Sequence, residues 1–267
     1  VTSGNPFAGE SLFWMNQSVS IFLNPPFALS IALLLIFLNL YQDLQGPTLT
    51  GVLDHRVGTG PLGQKAEGRS VLNGRFLLLI LVGGLLAQVK VYAFILLLLS
   101  LLVLKELKLL IGIGLVGLVL SLPTLGLEGS PFMFSPLWFP KSLIAAQDKL
   151  NWSKLAQAWQ VYEVNGVYFK LFIVNLLALG IYVVGNLGIR VIGLLNILDS
   201  FLVEDRSPGV GLRLRHSPGV RSVTLVKAII VLGLLIPLFF IQVNNPWNTI
   251  QFSYYSLFFL SFFTAKQ

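Results

Sequence analysis

Gln88, Lys90 and Tyr92 stand in the middle of an almost unbroken apolar stretch, Arg75 to Lys105. An ionisable side chain inside such a run is costly, so it marks a site or snorkels to an interface. A lysine ammonium beside an amide and a phenol suits a phosphate or another anion. Asn248 and Gln251, in a stretch that also holds Asn244, Asn245 and Trp247, offer amide donors of the same kind. Their structural alternative is capping, with Asn248 or Thr249 as N-cap and Trp247 as an interface anchor. Gln251 and Tyr254, one turn further in, fit capping less well.

The elements that must position these groups follow from composition. At 267 residues, 55% hydrophobic and 11% charged, with a mean hydropathy of +0.81, the chain is far from a soluble domain, which usually carries about 25% charged residues. It reads as an all-α polytopic membrane bundle. Cysteine is absent, and His55 and His216 lie in separate polar loops, which excludes thiol chemistry and a histidine–cysteine metal site. The net charge of +7 flanks apolar segments and does not form a patch interleaved with aromatics, so it points to membrane orientation and not to nucleic acid. The chain begins at Val1 without a signal-peptide pattern and stops at Gln267 directly after an apolar run. That suggests a single transmembrane domain, residues 1–267, cut from a longer protein.

Along the chain, Pro25-Pro26 suit the first turn of a helix over about Phe27 to Tyr41. Gln42 to Gly74 reads as a loop with Gly-Pro pairs, and Leu109 to Leu122 as an apolar run stopped by Pro123. Residues 124–170 do not span; they open with the aromatic "SPFMFSPLWFP". Trp152, Leu155, Trp159 and Tyr162 then recur at helical spacing, with Lys149, Lys154 and Gln157 elsewhere on the wheel, which predicts an amphipathic helix in the interface. Leu171 to about Leu187 spans, and a polar end follows through Arg190 to Asp199. Ser200 to Lys227, with the near-repeat "SPGV" at 207 and 217, reads as a basic loop. Ala228 to Val243 spans again, 244–249 turns, and Ile250 to Phe263 begins the last span.

As a single helix, Phe76 to Leu104 would be about 43 Å long, against a hydrocarbon core of about 30 Å. A reversal at Gln88 to Lys90 instead gives seven apolar segments. Lys90, Lys141, Lys149, Lys154 and Lys170 then fall on one side and all other lysines and arginines on the other, which the positive-inside rule makes cytoplasmic. Hairpin arms of about 20 Å end below the outer surface, so the tip at Lys90 belongs in a cavity. A single tilted helix, with Lys90 snorkelling or paired to a carboxylate, is the competing reading.

Four phrases carry a family likeness: "GESLFWMNQSVSIFLNPPFALS" at 9–30, "GGLLAQVKVYAFILLL" at 83–98, "SPLWFPKSLIAAQDKLNW" at 135–152 and "NPWNTIQFSYYSLFF" at 245–259. They resemble bacterial polytopic membrane proteins similar to the GT-C superfamily of glycosyltransferases. The resemblance implies a multi-pass inner-membrane protein that transfers a sugar from a polyprenyl-phosphate donor in an extracytoplasmic cavity. Its partners would be membrane lipid and the lipid-linked sugar, with a divalent metal as a possible cofactor. In that superfamily the catalytic acid sits in the first large external loop; Glu10, the only carboxylate before the first span, is the weak candidate here. A transporter or permease with its substrate site near Lys90, or a non-catalytic structural membrane protein, are the alternatives from other classes.

Overall fold

The computed structural model describes residues 25–45, 65–124, 132–147, 149–205, 218–243 and 246–265. They are helical apart from one short ribbon, and the chain divides into two compact units, each described by itself.

The first unit contains α1 (Pro25–Gln45), α2 (Lys65–Val89), α3 (Val91–Val103) and α4 (Leu107–Ser121). In α1, Phe27, Ile31, Leu34, Phe37 and Tyr41 are buried while Leu29, Leu35 and Ile36 are exposed. The buried set recurs every three or four residues and makes one stripe. Between α2 and α4, glycines allow backbone approach: a Cβ on Gly83 would lie 2.8 Å from Ile113, and one on Gly112 would lie 2.6 Å from Ile80. Gly84 meets Val116, and the Gln88 amide donates to the Leu120 carbonyl. These pairs rise together in number, so α2 and α4 run parallel. The 13 residues of α3 must therefore return between them, and Phe94 of α3 lies on Gly117 of α4 as that return requires. The chain reverses at Lys90, and a second tight turn, with Lys105 at φ 59°, leads through Glu106 into α4.

The second unit contains β1 (Phe132–Phe134), α5 (Trp138–Ala145), α6 (Ser153–Val164) and α7 (Tyr168–Leu187). After a 3-10 turn at Gly188–Arg190, α8 (Val191–Asp205) and α9 (Pro218–Phe239) contribute to both units. β2 (Phe240–Gln242), a 3-10 turn at Pro246–Ile250 and α10 (Gln251–Ala265) complete the second. The strands pair antiparallel, Phe132 with Gln242 and Phe134 with Phe240. The Ser256 hydroxyl on α10 donates to the Ile230 carbonyl, while Ile250 and Leu238 share a cluster, so α9 and α10 are antiparallel. Arg190 reaches Ser261, and Gly193 lies against Thr264, so α10 runs parallel to the α7–α8 chain. Trp138, Phe139, Leu143, Tyr182, Leu238 and Ile250 form the core at the ribbon end.

Among the described residues three helices are long and apolar enough to cross a bilayer: Pro25–Leu44, Tyr168–Ser200 and Val220–Phe239. Gly74–Val89, Val91–Val103 and Leu107–Ser121 are apolar but shorter, so the described residues do not make seven full-length spans. Several boundaries differ from the sequence reading. Residues 65–74 and 191–205 are helical where a loop or polar end was expected, and Pro218 opens α9 inside the expected basic loop, a position where its missing N–H costs nothing. The expected span 228–243 ends at Phe239 and continues as a strand. The predicted amphipathic helix forms as α6. Trp159 is buried, with Leu155 and Tyr162 packed on Ile144, Val174 and Ala178, so this part of the stripe faces protein, while Trp152, expected on the same stripe, precedes the helix and is exposed. Lys149, expected on a polar face, is buried in the turn before it.

Candidate functional site

Lys90 owes its place to the end of α2. Its N–H still donates to Leu86 at 2.8 Å, but its φ of −160° and ψ of 104° are extended, and its carbonyl accepts from Ala93 and Phe94. It is the N-cap of α3, with no side-chain cap. The reversal therefore keeps its backbone hydrogen-bonded to adjacent helix ends, as an apolar surrounding demands. The Lys90 ammonium is 5.7 Å from the centre of the Tyr92 ring, within range of a cation–π contact, and Tyr92 is itself buried. Gln88 is spent on the Leu120 carbonyl. Of the three expected groups, Gln88 bonds across to α4, and Tyr92 packs beside the Lys90 ammonium.

Asn248 and Gln251 belong to the second unit. The Gln251 amide donates to the Asn248 side-chain oxygen at 3.0 Å, and the Gln251 oxygen is buried without a hydrogen-bond partner. Thr249, fully buried, accepts from the Gln242 N–H at 3.0 Å. Asn248 thus bonds a side chain, and Thr249 ties the 3-10 turn to β2. Glu10, Asn244, Asn245 and the side chain of Trp247 lie outside the described residues.

Comparison with protein-family models, curated proteins and solved structures was made on the whole chain. Nothing matches it. The site is therefore argued from its own groups. Among the described residues no three of His, Cys, Asp and Glu gather.

Two polar clusters escaped the sequence reading. In the first unit, Glu106 accepts from Arg221 at 3.1 Å and from the Tyr41 hydroxyl at 3.1 Å; these residues are too far apart in sequence for any spacing rule to join them. In the second, Lys141 pairs with Glu163 at 2.8 Å and lies 4.9 Å from the Trp159 ring centre. Ser135, Trp138, Lys141, Ser142 and Ile241 line a groove of about 480 Å³ beside that pair. The aromatic "SPFMFSPLWFP" did signal an unusual region, but three-residue strands give too short an alternation to read.

Proposed function

We propose that the chain is the membrane-embedded part of a GT-C-like glycosyltransferase that uses a polyprenyl-phosphate-linked sugar on the extracytoplasmic face of a bacterial inner membrane. The observation that supports this reading is the reversal at Lys90. It sets a primary ammonium at the start of α3, between the apolar part of α2 (Gly74–Val89, about 24 Å) and α3 (about 20 Å), each shorter than the hydrocarbon core of about 30 Å. There the ammonium and the partial positive charge of the helix N-terminus act in the same direction on an anion. A lipid phosphate is the anion that reaches such a place from the bilayer itself.

The test is binding and turnover in lipid nanodiscs. Polyprenyl phosphate should bind the wild-type chain, and Lys90→Ala should weaken it about tenfold, the loss expected of one charge-assisted hydrogen bond. Sugar release from a radiolabelled polyprenyl-phosphate donor should fall with it. Equal binding by wild type and variant removes Lys90 from the site. A transporter with its substrate site near Lys90 is the second reading, favoured by the break between α2 and α3 at that residue, because broken helices are the usual substrate sites of secondary transporters. Solute flux in proteoliposomes with no donor turnover selects it.

A further inference from the structure

We infer that the second unit holds a water-filled vestibule, open at the Lys170 end of α7 and reaching about 10 Å below that level, with the β1–β2 ribbon and the Lys141–Glu163 pair in its wall. Depth can be measured along α7. No lysine, arginine, histidine, aspartate or glutamate lies between Lys170 and Arg190, and the helix joining them rises about 30 Å, the thickness of a hydrocarbon core. Tyr182 is about 18 Å below Lys170 on that scale, and its hydroxyl donates to the Leu234 carbonyl at 3.2 Å. From Leu234, α9 climbs only about 7 Å before ending at Phe239. The ribbon therefore begins about 10 Å short of the Lys170 level.

Two observations require water at this depth. The first is the ribbon itself: the outer edge of β2 is met by the Thr249 hydroxyl and the Trp138 indole, but among the described residues no third strand meets the outer edge of β1. Non-helical backbone is tolerated inside a membrane only where protein covers it or a wet cavity meets it. The second is the Lys141–Glu163 pair, whose side chains are 35% and 54% exposed. α5 runs from Trp138, in the cluster with Tyr182, to Ile144, in the cluster with Val174 and Ala178. Lys141 thus lies about 10 Å below the Lys170 level. A charged pair open to its surroundings at that depth persists in water, since in hydrocarbon each charge would be heavily penalised. The groove bounded by Ser135, Lys141, Ser142 and Ile241 is the part of the vestibule next to that pair. Every residue used belongs to the second unit, so the inference stands apart from the role given to Lys90.

Cysteine labelling tests it directly, because the chain contains no cysteine. Ser135→Cys and Ile241→Cys are compared with Ser153→Cys, exposed on α6, and with Leu176→Cys, 58% exposed on the uncharged length of α7. A membrane-impermeant maleimide is added to vesicles from the side that labels Ser153→Cys. Either test position should react within about tenfold of Ser153→Cys, while Leu176→Cys, facing hydrocarbon where no thiolate forms, should be at least about 100-fold slower. If both test positions in folded protein react as slowly as Leu176→Cys, or only from the opposite side, there is no such vestibule.

Discussion

The chain turns back inside apolar sequence at Lys90 and again between Phe239 and Gln251, and the two turns are built in opposite ways. At Lys90 one residue leaves helical geometry, and its N–H and C=O both remain in the hydrogen bonding of the flanking helices. At the second turn the chain leaves the helix at Phe239 and re-enters at Gln251. Its backbone finds partners elsewhere: β1, the Thr249 hydroxyl, and Trp138, whose indole donates to the Phe240 carbonyl at 2.6 Å. A short turn satisfied by its own helices brings a single charged side chain into an apolar setting. A long turn must recruit distant sequence. The first makes a point site and the second a lined one.

This contrast predicts that the second turn tolerates less change than the first. The largest effect is expected at Gly233, where a Cβ would come within 2.7 Å of the Phe252 carbonyl oxygen. Backbone cannot step aside, so Gly233→Ala should cost about 3 kcal/mol, read as a lowered unfolding midpoint in detergent. Next is Thr249→Val, which leaves the Gln242 N–H without its acceptor. It should cost about 2 kcal/mol and speed amide hydrogen exchange in β2 above all other segments. At the first turn the neighbour of Gly117 is the ring of Phe94, the far end of a side chain. Gly117→Ala should therefore cost only about 1 kcal/mol as the ring swings away. The smallest effect, below about 1 kcal/mol, is expected for Gln88→Leu, whose hydrogen bond to Leu120 is exposed. If the Gly117 and Gln88 variants prove more damaging than those at Gly233 and Thr249, the contrast between the turns fails.

The first turn was legible in the sequence because two independent quantities agree there: apolar length too great for one crossing, and a charge balance that favours a reversal at Gln88 to Lys90. Gln88's partner, in contrast, is a backbone carbonyl on α4 that no pattern announces. The second turn was legible only as "NPWNT". Its ribbon joins Phe132 to Gln242, strands of three residues each, and pairing at that separation is fixed by the tertiary fold and not by local alternation. The stripe of Trp159 and Tyr162 was read correctly as amphipathic, yet periodicity cannot say whether an apolar face meets lipid or protein; here it meets α5 and α7. The helical start at Pro218 was missed because glycine and proline density was weighed above the fitness of proline for a first turn.

The parallel arrangement of α2 and α4 also imposes an order on biosynthesis. Gly83 and Gly84 cannot meet Ile113 and Val116 until α3 has been made, reversed and followed by most of α4. At about 5–20 residues per second, that interval lasts about 2–7 s. For those seconds the glycine face of α2 has only lipid, α1 or the insertion machinery to contact, and α1 already packs on α2. The α1–α2 pair is therefore the natural nucleus of the first unit, completed only when α4 arrives to close the glycine seam.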